Sequence, residues 1–231
     1  MAAWREENGF VFEAGNLVGC LHAKESVHMH LGEELANLSG RLFSLDRVSY
    51  RDGQGKSQES RLVADHPYIQ GNACVLPLTI ESKVGLSGAM RLLVETGGIS
   101  AEIRVQTVAP VSELSLVVSN RWRADVQFPR EMGKHKSGRL DRRECSVSLL
   151  PRDKGRALLM FADVGEGGTA ERTPVSEKTD FAQVAYSFFR QSLEKGVILV
   201  GRIALFDWRS EGQFTPIDQL YDQWFERDTF L

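Results

Sequence analysis

The sequence predicts a mainly β protein: an antiparallel two-layer β-sandwich with one or two C-terminal helices. Three observations carry this. Apolar and polar residues alternate in many short segments along the 231 residues. Clusters rich in Gly, Asn, Asp and Ser separate those segments, as turns require. A capped helical spacing occurs only near the C-terminus. Segments with one apolar and one polar face build antiparallel sheets with one wet side. Roughly ten to thirteen of them fill two layers.

The totals fit one soluble domain spanning residues 1–231. Apolar content is 42% and charged content 26%, ordinary for a globular chain. The net charge of −3 argues against a dedicated nucleic-acid binder, which carries a basic face. Cys20, Cys74 and Cys145 are far apart and include no CxxC pair, so they read as reduced thiols in a cytoplasmic protein. No run reaches the ~18 apolar residues of a membrane span, and MAAWREENGF lacks a signal-peptide core.

Residues 9–13 read as a first strand. In 17–31, Leu17, Gly19, Leu21 and then Val27, Met29, Leu31 form the apolar set on both sides of Lys24-Glu25-Ser26, the pattern of a hairpin. The apolar sets must share a face, so the other face collects Cys20, His22, His28 and His30. A three-residue loop places His22 opposite His28 and Cys20 opposite His30. Residues 32–40 read as a helical turn or a loop. Residues 41–51 and 61–64 are strands around a polar turn, and Asp65-His66-Pro67 breaks the pattern.

In 73–81, Pro77 removes a ladder donor, so an edge strand or a bulge is expected. Residues 89–95 and 99–107 alternate around Thr96-Gly97-Gly98. Residues 113–119 form the next strand, Asn120-Arg121 a turn, and 122–128 a further strand. Residues 129–139 read as a charged loop, 144–150 and 156–162 as a hairpin, and 163–178 as a long polar loop.

The stretch 179–208 is the longest apolar-rich run. Phe181, Val184, Ala185, Phe188, Phe189 and Leu193 predict a helix over 180–194; the competing reading is a hairpin arm turning at Glu194-Lys195-Gly196. Residues 197–206 read as a central strand covered on both sides, because apolar residues occupy both faces. Thr215, Pro216 and Asp218 start a helix over 215–227, with Ile217, Leu220, Tyr221, Trp224 and Phe225 as its apolar stripe. That stripe either packs on the sheets or docks a partner.

Candidate functional residues fall in separate places. Cys20, His22, His28 and His30 offer imidazole and thiol ligands for a divalent metal, without HExxH or paired CxxC spacing. His66 has Asp65 beside it. Asp207-Trp208-Arg209, at the exit of the central strand, mixes charge and aromatic surface as a binding rim does. Arg130, Lys134, His135, Lys136, Arg139, Arg142 and Arg143 make a basic stretch that reads as a solvated loop. No GxSxG or P-loop motif is present.

In size and strand count the chain resembles a large mutarotase-like sandwich. The resemblance is one of fold and carries no active-site motif. It implies the architecture, and sugars as the ligand class such sandwiches most often bind. Two functions follow. The first is a ligand-binding or interaction module for a small molecule or glycan, with no cofactor. The second is a metal-dependent enzyme using the Cys20/His22/His28/His30 face. Neither nucleic acid nor a membrane is an expected partner.

Overall fold

In the computed structural model, period-two alternation becomes seventeen strands among the residues it describes: 3–6, 9–15, 17–23, 27–31, 41–122, 145–151, 156–164, 168–173, 182–209 and 217–226. The predicted elements at 32–40 and 122–128, the loop 129–139 with its basic residues, and the helix start at Thr215-Pro216 fall wholly or almost wholly outside them.

One antiparallel sheet has nine strands. Its path runs β1 (Ala3–Glu6), β2 (Phe10–Ala14), β3 (Leu17–His22), β4 (Val27–Leu31), β5 (Arg41–Arg51), β12 (Val111–Trp122), β16 (Ala182–Leu193) and β15 (Thr169–Thr173), with β6 (Ser57–Ser60) also on β5. The other has eight strands. It runs β13 (Cys145–Pro151), β14 (Arg156–Asp163), β17 (Ile198–Arg209), β11 (Gly98–Thr107), β10 (Leu86–Glu95), β9 (Ala73–Ile80) and β7 (Leu62–Ala64), with β8 (Tyr68–Gln70) also on β9. The inward faces share one core that includes Phe12, Leu21, Met29, Leu76, Met90, Leu116, Tyr186 and Phe188. Between the layers, a void lined by Met29, Phe43, Leu92, Met160 and Ile203 measures ≈ 20 Å³, room for about one water.

The segment 182–193 is a strand, not a helix. Ala182, Val184, Tyr186 and Phe188 point into the core at period two, and Ala185 lies on the other face. At Phe189 and Arg190 the backbone turns left-handed, with φ of 79° and 35°. The pairing with β12 slips at the same place. This bulge shifts the phase, so Phe189 and Leu193 are also buried. A strand interrupted by a bulge thereby imitates helical spacing. The hairpin reading also fails. The turn forms at Glu194-Lys195-Gly196, with Gly196 at φ 78°, but β16 and β17 lie in opposite sheets. Gly196 N–H instead donates to the Thr107 carbonyl at 3.2 Å.

Other expectations change in detail. Strand β12 continues through Asn120 and Arg121, so no turn forms there. Asn120 is buried, accepting from the Val184 N–H at 3.1 Å. Part of the predicted loop 163–178 is the edge strand β15. Pro77 sits where β9 faces the break between β7 and β8, with its carbonyl accepting from Asp65 N–H at 2.8 Å. The missing Pro77 N–H points into that same break.

One helix, α1 (Ile217–Phe225), is described. It packs on the outer face of the eight-stranded sheet. There Tyr221 and Trp224 join Leu159, Phe161, Ala204 and Phe206 in a second, smaller core. The apolar stripe is therefore occupied within the chain, not left for a partner. The helix covers only the second half of β17. Ile198 and Val200, on the same face of the first half, stay exposed.

Candidate functional site: the outer face of the first hairpin

Strands β3 and β4 pair in the register that the alternation predicts. His22 lies opposite His28, and Cys20 opposite His30. Their inward neighbours Leu21, Val27 and Met29 are buried, which fixes the polar set on the outer face. Gly19 helps to hold this hairpin close. A Cβ there would run into the Phe12 ring and lie 2.6 Å from the His30 carbonyl oxygen.

The three imidazoles form one cluster. Ring centroids are 5.1 Å apart for His22–His28, 5.7 Å for His22–His30 and 4.9 Å for His28–His30. His22 is exposed, and His28 and His30 are half-buried. Burial holds the His30 pKa below the usual histidine value, and the charges of His22 and Arg41 add to the effect. As the side chains stand, no group of three or more His, Cys, Asp or Glu among the described residues is arranged to hold a metal ion.

Cys20 shares the face, with its thiol beside Gly9 of the neighbouring β-segment. Its Sγ is within 3.9 Å of the Leu21 carbonyl oxygen, and a Cβ on Gly9 would lie 3.5 Å from it. Burial raises the thiol pKa, which disfavours the thiolate that ligates metals.

Sequence reasoning missed three residues on this face. Ser44 lies opposite His28, and Ser119 lies opposite Ser44; both are buried. Arg41 lies opposite His30 and is exposed. A bulge delivers Arg41: Met29 pairs with Phe43 and His30 with Arg41, leaving Leu42 as the extra residue. Regular alternation would set Leu42 against His30, so nothing in the sequence pattern announces this arginine.

The remaining candidates stay apart. Asp207 and Trp208 are half-buried on β17 in the other sheet, with Trp208 packed against the helix-covered cluster. Asp207 N–H donates to the Gly97 carbonyl at 2.9 Å. Arg209 is the last residue of that strand. His66 is exposed, in a left-handed turn with φ 43°. That turn brings its Nε2 to 3.3 Å from Asp65 Oδ1, whereas an extended chain would separate the two. Glu102 faces Arg91 and Arg202, and Arg202 pairs with Asp163 at 3.1 Å. Cys20 and Cys74 are free thiols. Among the described residues, no helix is long and apolar enough to cross a membrane.

No family model and no curated protein matches the chain. Solved structures with a similar course include a heparinase III (BT4657 gene product, methylated lysines), 11% identical with a TM-score of 0.47 over 91% of this chain. Another is the HI1317 protein, 8% identical with a TM-score of 0.38, covering 90% of this chain and 100% of that one. A third is provisionally described as a kojibiose phosphorylase from human microbiome, 5% identical with a TM-score of 0.36 over 96% of this chain. The chain spans 36% of the first structure and 35% of the third. Scores this low carry no argument about activity; the sandwich architecture rests on the sheets themselves.

Proposed function

We propose that this sandwich is a binding module whose ligand is a divalent late transition metal, held by His22, His28 and His30. The observation that supports it is the mutual spacing of the rings. An ion with metal–nitrogen bonds of about 2.0–2.1 Å in tetrahedral geometry keeps its imidazole centroids roughly 5 Å apart. The three spacings here are 4.9, 5.1 and 5.7 Å. Closing the site requires the rings to turn. An off-rotamer χ costs on the order of 0.5–1.5 kcal/mol, and histidine χ2 is softer. Structural zinc supplies apparent binding energies of about 10–16 kcal/mol in small domains, so rotation is the smaller term. The depressed His30 pKa favours the neutral imidazole that ligates. Cys20 stands outside this ligand set.

Calorimetric titration of the tag-free protein with zinc and with nickel tests this. One ion per chain is expected, lost in His28→Ala without loss of fold, since that ring stands on the outer face. No stoichiometric uptake by the wild type overturns the reading. A glycan-binding module is the second reading. It draws on Trp208, an aromatic residue that is partly exposed at the border of the helix-covered cluster, the amphipathic kind of surface that a sugar can stack on. Glycan-array binding that disappears in Trp208→Ala would support it, and binding indifferent to that change would sink it.

A further inference from the structure

Away from the histidine face, the eight-stranded sheet leaves one stretch of strand without a neighbour. We propose that the open edge of β17 over residues 198–201 binds an extended peptide strand with apolar side chains at alternate positions.

Strand β14 pairs with β17 from Arg156–Arg209 to Asp163–Arg202 and stops there. The chain then leaves this sheet, and the Val164 carbonyl accepts from Phe189 N–H at 3.0 Å in the other layer. Strand β17 runs on to Ile198, paired over that stretch with β11 alone among the described residues. The direction of its free groups follows from the ladder. Asp207 N–H donates to the Gly97 carbonyl, so odd residues of β17 bond to β11 and even ones turn toward β14, because bonded pairs alternate along an antiparallel ladder. Phe206, Ala204 and Arg202 meet β14 in this way. Val200 and Ile198 turn their N–H and C=O to the same side, where no described residue bonds to them.

Their side chains lie on the outer face and are 37% and 51% exposed, and Val197 beside them is exposed too. These are three of the six large apolar side chains exposed among the described residues, a clustering that marks a contact surface. Unpaired strand groups flanked by apolar side chains are the template for strand addition, in which the main chain supplies affinity and alternate side chains supply specificity. The slot fits a peptide and not a second copy. A two-fold axis through Leu199 would pair Ile198 with Val200 of the copy. It would then set Gly196 opposite Arg202 of the copy, a place that Asp163 already fills. The stretch 198–201 also falls far short of the roughly 800 Å² per partner of a standard interface. A single strand in line with β14 needs only about 13 Å of edge, at about 3.3 Å per residue.

Random dodecapeptides displayed on phage, selected on the immobilised wild-type protein, provide the probe. Enriched sequences should alternate β-branched or aromatic residues with polar ones. A synthetic copy of an enriched peptide should slow hydrogen exchange at the Ile198 and Val200 amides. Val200→Pro removes only the N–H that faces the slot and no bond to β11. The peptide should then bind about tenfold more weakly or worse, with the fold kept. N-methylation of the peptide's alternate amides, in one register or the other, should have the same effect on the unaltered protein, whatever Val200→Pro does to folding. No enrichment over a blank support, or binding indifferent to both changes, overturns the proposal. A concentration-dependent dimer in sedimentation that Val200→Pro abolishes also overturns it, since the edge then serves a second copy.

Discussion

Replacing Phe161 with alanine should undock the C-terminal helix. Phe161 is fully buried on the outer face of β14. Its ring centroid lies 5.8 Å from that of Phe206, 5.3 Å from Tyr221 and 5.5 Å from Trp224. Truncating a buried phenylalanine costs about 3–5 kcal/mol, and each aromatic pair adds about 0.5–1.5 kcal/mol beyond burial. The nine-residue helix is shorter than the ~12–15 residues that hold a helix in isolation. It therefore depends on this small core. Urea denaturation followed by far-UV circular dichroism should show Phe161→Ala at least about 3 kcal/mol less stable, with helical signal lost before the sheets melt. Trp224→Ala removes the same contact from the other side. The double variant should depart from additivity by more than about 0.5 kcal/mol, because neighbours couple. A cost below about 1 kcal/mol for Phe161→Ala, with additive singles, would refute a helix held by aromatic packing.

Gly201→Ala would place a methyl 2.5 Å from Cδ1 and 3.1 Å from Cε1 of the buried Phe188 ring across the sandwich. A loss of about 1–3 kcal/mol is expected from overpacking, and an unchanged denaturation midpoint would contradict it. Cys74, fully buried with its thiol pKa pushed up to about 12, should resist alkylation at mildly alkaline pH and react only in denaturant; peptide mass spectrometry reads this directly. Asp52 accepts N–H donation from Gln54 and Lys56, each at 3.0 Å, and from the Gln58 amide at 3.1 Å. The Lys56 backbone bond is the main reason its carboxyl sits below the ordinary aspartate value. Because the folded pKa is depressed, the stabilisation is present above the unfolded pKa and is lost as pH falls through the folded one. An NMR titration midpoint at or above the ordinary value would contradict those bonds. Val108→Ala, at a site 66% exposed, should stay within about 0.5 kcal/mol of the wild type.

The sequence by itself determined whatever depends on neighbours along the chain. Alternation in 17–31 specified both the pairing of His22 with His28 and the wet face they share, because a short loop and a buried apolar set leave one register. The stripe Leu220, Tyr221, Trp224 and Phe225 specified a helix with one face to bury. Only the tertiary structure decided which surface receives it. The local pattern cannot say that Phe161 on β14 and Phe206 on β17 point outward from the same sheet. Bulges escaped for a related reason. The one at Phe189-Arg190 breaks period two and counterfeits a helix, since spacing alone does not distinguish a slipped strand from a turn of 3.6 residues. The one at Leu42 turns an arginine onto the histidine face that simple alternation would have sent inward. A bulge is fixed by the partner strand and the core behind it, contacts that exist only once distant segments have come together.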